Sequence, residues 1–178
     1  MSAAAEAQVL ARILNDDIDF SSAAQDVKDS FRGPPTKTIF KTDDLIYRFI
    51  SIRDVEYRDG TKQGSPLFES AWWVPRETFR AVTQRASRTN RSFTAVARTG
   101  LAVTREWNPH MDWILIARMK DPVCGWVGPT AGQREYKDDP HVWLIGGLDQ
   151  IWLPGLAGGG NGTSSPYAFI EHCGAVDE

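Results

Sequence analysis

Residues 141–156, with the sequence HVWLIGGLDQIWLPGL, set narrow limits on how this chain folds. Two short apolar runs on either side of Gly146 and Gly147 predict a strand, a tight backbone feature and a second strand. Because glycine has no Cβ, this pair permits a positive φ or the close approach of a ligand. Gln150 begins the second run, where its amide must be satisfied within the fold or point into a cleft.

The composition is that of an ordinary soluble domain. The 178 residues suit one domain, with 42% hydrophobic and 24% charged residues. A net charge of −3 disfavours a general binder of phosphate backbones, so we expect no nucleic acid as the primary partner. Since no apolar run approaches the roughly 18 residues of a membrane span, we expect no membrane insertion.

The N-terminus lacks the basic and apolar regions of a Sec signal peptide, which predicts a cytoplasmic protein or one delivered by a non-Sec route. Cys124 and Cys173 form no Cys-x-x-Cys motif and are interpreted as buried thiols. The three histidines show no zinc-ligand spacing, and we expect no metal. A nucleophilic pair of His172 and Cys173 is disfavoured because strand neighbours point to opposite faces.

Residues 1–35 are predicted to form a helical arm, and residues 36–178 a single α+β domain. Apolar residues at helical spacing indicate a first helix that ends at Leu14, and Ser21 or Ser22 would cap a second. A Gly-Pro-Pro triplet closes the arm. The arm either packs on the domain or serves as a docking segment for a carrier or inhibitor.

Strand patterns dominate the second half of the chain and helix patterns the first. Helices are predicted at residues 76–86 and 92–106, and strands at 37–40, 45–52, 68–74, 111–119, 123–127, 142–145, 151–153 and 167–172. Loops are predicted at residues 53–66, 128–133 and 155–165. This order predicts an α+β fold with a bent, mostly antiparallel sheet and N-terminal helices packed on it.

Arg48 lies on the same face of its predicted strand as Ile46 and Ile50. An arginine among isoleucines is costly unless its guanidinium is paired or reaches a polar cleft. It therefore either bonds an internal partner or anchors a phosphate or carboxylate. The dense run of arginines at residues 76–91 is either a solvated helix face or a surface that attracts an anionic substrate or acidic partner.

Several positions together suggest a binding cleft. In chain order they are Tyr47 and Arg48, then Ser70 with Trp72 and Trp73, then Gly128 and Gln133, and finally Gly146, Gly147 and Gln150. Over residues 45–154 this pattern resembles toxin domains with the ADP-ribosyltransferase-like fold. It is most similar to the NAD glycohydrolase toxins of bacteria and fungi, whose late glycine-rich turn carries an essential glutamine.

The resemblance implies an NAD-directed toxin or effector that cleaves the nicotinamide–ribose bond, by ADP-ribosyl transfer or NAD hydrolysis. NAD would be the substrate, and a protein target or a cognate inhibitor the partner. No Glu-x-Glu pair is present, and Gln150 after the late glycine pair is not followed by a glutamate two residues on. This departure from the transferase pattern puts transfer to a protein in more doubt than hydrolysis.

The resemblance also assigns roles to residues. Gln150 would orient a ribose hydroxyl or the attacking water, with Gln133 as a second candidate and Glu171 to stabilise the cation. The substrate-binding residues would be Arg48 at the pyrophosphate, Ser70 nearby, Trp72 or Trp73 stacked on a ring, and Gly146 and Gly147 where the backbone comes close.

Two other functions stay open at this point. One is a non-catalytic module whose tryptophans hold a sugar, nucleotide or peptide. The other is an interaction protein, an adaptor or inhibitor, that uses the arm and the arginine-rich helix. No Gly-x-Ser-x-Gly elbow or Walker-type loop occurs, so the usual hydrolase and P-loop classes lose support.

Overall fold

The computed structural model of the chain describes residues 13–51, 67–160 and 162–176. The strands are β1 Thr36–Phe40, β2 Leu45–Ile50, β3 Trp72–Trp73, β4 Trp113–Met119, β5 Val123–Pro129, β6 Gln133–Tyr136, β7 Asp139–Leu144, β8 Asp149–Trp152 and β9 Ala168–Ala175. The helices are a 3-10 turn at Phe20–Ser22, α1 Gln25–Asp29, α2 Arg76–Thr89 and α3 Phe93–Leu101.

Within the described residues these strands form three sheets, and each pair of neighbouring strands is antiparallel. One sheet has the order β1-β5-β8-β3, the second has the order β2-β4-β9, and β6 pairs with β7 as a hairpin. The first two sheets are joined where Tyr47 and Val74 exchange backbone hydrogen bonds of 3.0 and 2.7 Å. The predicted α+β class with a bent, mostly antiparallel sheet is confirmed.

The side chains of β2 alternate between two hydrophobic cores of the described residues. Ile46 and Ile50 are fully buried among residues of the two larger sheets. Tyr47 and Phe49 point to the other face and pack against α2 and α3. Tyr47 stacks on Phe79 with ring centroids 4.9 Å apart, which fixes α2 on the sheet.

The segment between residues 13 and 35 packs on the first sheet. Leu14 accepts a hydrogen bond from the Cys124 amide of β5, and Phe31 is buried against Trp72 with ring centroids 5.8 Å apart. Most of the predicted first helix lies outside the described residues. The expected cap at Ser21 or Ser22 is wrong, because Asp19 accepts the Ser21 amide instead. The division at residue 35 stays a prediction.

Several element boundaries differ from the prediction. The helix expected to run to residue 106 ends at Leu101, because Ala102 takes the left-handed conformation with φ 50°. The strand expected over residues 68–74 is confined to Trp72–Trp73. Gln133, the last residue of the predicted loop at 128–133, is the first residue of the β6–β7 hairpin. The sequence patterns did not predict this hairpin. The predicted loop at residues 53–66 lies outside the described residues.

Neither cysteine forms a disulfide, and Cys124 is buried whereas Cys173 is half-buried. Among the described residues, no group of His, Cys, Asp and Glu side chains is arranged to hold a metal ion. A search of the same residues finds no helix with the length and apolar character of a membrane span.

Candidate functional site

A cleft of about 790 Å³ opens where the two larger sheets, α1 and the segment after α3 meet. This volume lies within the range of small-molecule and cofactor sites. One wall comes from α1 and the residue after it, with Asp26, Asp29 and Ser30, and another from β2, β3 and the residues beside β3, with Arg48, Phe49, Ser70, Trp72, Trp73 and Val74. Residues 101–111 contribute Leu101, Ala102, Val103, Trp107, Asn108 and Met111. The segment from β5 to β8 contributes Thr130, Ala131, Gly132, Gln133 and Gln150.

Arg48 is half-buried on β2 and lines this cleft. Its Nη1 donates a 2.9 Å hydrogen bond to the Leu67 carbonyl. The alternation that puts Ile46 and Ile50 in the core thus brings the guanidinium to the edge of that core. The arginine thus has an internal partner and also reaches a cleft, and its predicted role as an anchor for an anion stays a prediction.

Gln150 lies on β8 and is held by the N-terminal segment. Its Nε2 donates to the Ser30 carbonyl at 2.9 Å and to the Ser30 hydroxyl at 3.3 Å. The same carbonyl accepts the Ala131 amide at 2.8 Å. The Gln150 Oε1 has no partner among the described residues, so it can accept a hydrogen bond from a hydroxyl or water in the cleft.

The second strand of the predicted pattern also reaches the cleft. Ser70 Oγ accepts the Trp72 amide at 3.2 Å, and the Ser70 carbonyl accepts the Trp73 indole N–H at 3.2 Å. Trp72 is half-buried, whereas Trp73 is only 1% exposed. A ligand ring therefore has little access to Trp73, whose main contribution is to the core beside Phe68.

Gln133 lies at the start of β6 and lines the cleft. Its Nε2 donates to the Ala102 carbonyl, so it links the β6–β7 hairpin to the end of α3. Two residues along, Glu135 is buried, and its Oε1 accepts both the backbone amide and the guanidinium of Arg105 at 3.2 Å. In the described part of the chain the Glu135 Oε2 is a buried oxygen without a hydrogen-bond partner.

Gly146 and Gly147 adopt φ values of 68° and 96°, as the tight backbone feature requires. A Cβ on Gly146 would lie 2.7 Å from the Thr130 carbonyl oxygen and 2.8 Å from that of Ala131. Gly147 donates to Thr130, and the Arg32 guanidinium lies beside it. The groups that come close to this pair are thus other parts of the protein. Neither glycine lines the cleft.

Glu171 is not brought to the cleft. It lies on β9 where the register with β4 shifts, and its carboxylate forms a two-pronged ion pair with Arg118 at 2.7 and 2.8 Å. The hydrogen bonds from Arg118 lower the pKa of the Glu171 carboxyl below its usual value. Its predicted place beside the reacting bond is therefore corrected: Glu171 is an exposed carboxylate already paired on the second sheet.

The segment from Ala102 to Met111 forms one wall and is held by buried side chains. Arg98 is 5% exposed and donates to the carbonyls of Val103, Asn108 and Pro109 at 3.0, 2.9 and 3.1 Å. Burial lowers the pKa of the Arg98 guanidinium, and the nearby Glu135 carboxylate opposes that shift. One buried cation thus donates hydrogen bonds to three carbonyls of this segment.

Several cleft residues were not found from the sequence. Asp26 and Asp29 are the acidic residues of the described lining and come from the predicted arm. Trp107 and Asn108 come from the loop after α3, just beyond the predicted helix end at residue 106. The Asn108-Pro109 dipeptide, which disfavours helix at residue 108, was the one available signal that the second pair lies in a loop. The arginines of α2 lie outside this lining.

Two solved structures share this fold, both at 15% sequence identity. A chain of the complex of Tne2 with Tni2 matches with a TM-score of 0.55, over 83% of this chain and 97% of that chain. A chain of the complex of Rhs1-CT with its cognate immunity protein RhsI1 matches with a TM-score of 0.51, over 82% and 84%. No protein-family model matches the sequence, and no curated protein is significantly similar to it.

Proposed function

We propose that this chain is the enzymatic domain of a toxin or effector with an ADP-ribosyltransferase-like fold, which cleaves the nicotinamide–ribose bond of NAD. One observation carries the proposal. Arg48 and Gln150 lie on different sheets, yet both line one cleft together with Ser70 and Trp72. A cation, an amide and an aromatic ring in one hollow match the pyrophosphate, the ribose hydroxyls and the bases of a dinucleotide.

In this proposal Arg48 binds the pyrophosphate. A guanidinium presents paired donors that fit phosphate oxygens, and its half-buried position strengthens such bonds relative to water. The Leu67 carbonyl accepts one of its donors and fixes the side chain before the substrate arrives. A positioned cation costs less to order on binding than a flexible one.

The cleavage itself balances as NAD plus water giving nicotinamide, ADP-ribose and a proton. The C–N bond breaks with its electron pair moving to the ring nitrogen, which leaves neutral nicotinamide and an oxocarbenium-like sugar. A water oxygen then bonds to the anomeric carbon and releases its proton to a carboxylate or to solvent. Asp26 and Asp29 place negative charge at the cleft, which favours this cation electrostatically.

Gln150 would orient the reaction rather than move a proton, because an amide has no titratable proton at neutral pH. Ser30 holds its Nε2, which leaves Oε1 to accept a hydrogen bond from a ribose hydroxyl or the attacking water. Such positioning raises the rate by holding the reactants close to the geometry of attack. Whether the ADP-ribose passes to water or to a protein depends on what reaches the same carbon.

A cognate inhibitor protein and delivery to a target cell by a non-Sec route complete the proposal. Both fold neighbours were solved as complexes, one of them with a cognate immunity protein. A cell that makes an NAD-cleaving enzyme needs such an inhibitor, because the enzyme would otherwise consume that cell's own NAD.

The test is to incubate the purified chain with NAD and to measure free nicotinamide and ADP-ribose by chromatography. We expect Arg48→Ala to lower kcat/KM by about 100-fold, since it removes charge-assisted bonds to the pyrophosphate. Gln150→Ala should lower kcat more than it raises KM. Arg91→Ala and Gln84→Ala, which change the same residue types at exposed positions outside the cleft, serve as controls.

Wild-type chain that releases no nicotinamide would contradict the proposal. So would full activity in both cleft variants. Circular dichroism and a melting curve for each variant separate a lost contact from a lost fold. Arg48→Lys keeps the charge but loses the forked geometry, and an intermediate activity for it would support pyrophosphate binding.

A second candidate is a non-catalytic interaction protein, such as an inhibitor. It is favoured by the apolar side chains that the β6–β7 hairpin and the turn after it expose, including Trp143 at 55% and Ile145 at 67%. This candidate predicts a stable complex with a protein partner and no product from NAD. The nicotinamide assay therefore separates the two functions.

A further inference from the structure

We infer that Trp107 stacks on a planar ring of the substrate, and that the loop of residues 102–111 is built to present its indole to the cleft. The inference deepens the proposed function, because it rests on a nucleotide-type ligand in the same cleft. Sequence patterns had given this role to Trp72 or Trp73, and the structure offers a more accessible ring.

The exposure of Trp107 is the first observation. Its side chain is 66% exposed and lines the cleft. An indole is large and mainly apolar, so leaving it in water is unfavourable unless something covers it. Trp73 is 1% exposed, and Trp72 is half-buried beside Phe31. Trp107 thus has the most accessible ring of the three tryptophans that line the cleft.

The rigidity of the backbone around Trp107 is the second observation. Arg98 bonds the carbonyls on both sides of it, at Val103 and at Asn108. The Asn108 side chain donates to the Phe49 carbonyl at 2.8 Å and accepts the Met111 amide at 3.1 Å. A solvent-exposed ring on a backbone fixed by buried polar groups is preorganised, so a ligand needs to order little more than the indole itself.

The chemistry of the ligand follows from that of the ring. An indole face attracts flat heterocycles, and it attracts a cationic ring most strongly. Within NAD the candidates are therefore the neutral adenine and the positively charged nicotinamide. ADP-ribose carries only the adenine, and nicotinamide mononucleotide carries only the nicotinamide, so these two compounds separate the candidates.

Trp143 provides a matched control. It is 55% exposed, like Trp107, but lies on β7 and does not line the cleft. Its indole N–H donates to the Pro140 carbonyl, and the Arg134 guanidinium lies 6.0 Å from its ring. Replacing either tryptophan removes one exposed indole, but only Trp107 should affect a ligand in the cleft.

The experiment compares the wild-type chain with Trp107→Ala, Trp107→Phe and Trp143→Ala. Tryptophan fluorescence is titrated with ADP-ribose and with nicotinamide mononucleotide, and NAD cleavage is measured in parallel. We expect Trp107→Ala to weaken binding of one ligand and to raise KM for NAD roughly tenfold, with kcat within about twofold. Trp107→Phe should restore most of the affinity, and Trp143→Ala should match the wild type.

If Trp107→Ala and Trp143→Ala both kept the wild-type ligand affinities and the wild-type KM for NAD, the stacking inference would be overturned. The proposed cleavage of NAD would still stand. A chain that binds ADP-ribose through Trp107 but releases no nicotinamide would overturn the proposed enzyme and support the stacking role. Equal weakening by Trp107→Ala and Trp143→Ala would indicate a general effect on the fold, and would count against a specific contact.

Discussion

The cleft has two kinds of wall, and they are held in place differently. Arg48, Trp72 and Gln150 lie on strands whose backbones are fixed by ladder hydrogen bonds. Trp107 and Asn108 lie on a loop whose carbonyls are satisfied by the Arg98 side chain. A strand sets the direction of a side chain through its backbone alone, whereas this loop depends on side chains, namely Arg98 and Asn108.

The largest expected change in the free energy of unfolding comes from a substitution that affects the loop of residues 102–111. Arg98→Ala should lower the free energy of unfolding by about 3 kcal/mol, since it removes the Arg98 donor from three carbonyls and one of the two guanidinium charges near Glu135. Urea unfolding measures the change. Arg88→Ala, at an exposed position of α2, should stay within about 0.5 kcal/mol of wild type. Equal losses for the two variants would mean that Arg98 does not hold this wall.

A smaller effect should appear at the turn that leads into β8. Gly146→Ala forces a Cβ against two carbonyl oxygens at a φ of 68°, and we expect a loss of about 2 kcal/mol. Gly159→Ala shares the positive φ, at 82°, but its Cβ would meet nothing within 4 Å. It should lose only about 1 kcal/mol. The difference between the two unfolding curves isolates the packing against Thr130 and Ala131.

The smallest effect is expected at Glu171, which belongs to neither wall. Arg118 lowers the pKa of this carboxyl from its ordinary 4.5, so the ion pair stabilises the fold above that pH. The advantage of the wild type over Glu171→Gln should be present at neutral pH and vanish as the pH falls through the lowered pKa. Unfolding curves across this pH range test the sign, and NAD cleavage by Glu171→Gln should equal that of the wild type.

Strand-borne parts of the site could be predicted from the sequence. Alternation along β2 placed Arg48 between Ile46 and Ile50, and the glycine pair marked the turn before Gln150. These features depend on local backbone geometry, which short-range patterns encode. The same reasoning identified the α+β class and most of the strands.

The rest depends on contacts between residues far apart in the chain. The left-handed Ala102 that ends α3 has no glycine or proline to signal it, so the residues just before Trp107 were predicted as helix. Asp26 and Asp29 reach the cleft only because the N-terminal segment folds back onto the first sheet. Glu171 has a suitable residue type on a late strand, but Arg118 already neutralises it.

The Ser30 carbonyl accepts hydrogen bonds from both Gln150 and Ala131. Removal of the chain before Thr36 would spare the nine described strands, yet it would take away Asp26, Asp29 and the group that aims the Gln150 amide. The N-terminal segment therefore contributes to the site as well as to the packing of the first sheet. An inhibitor that merely lifted residues 24–31 off the sheet could silence the protein without entering the cleft.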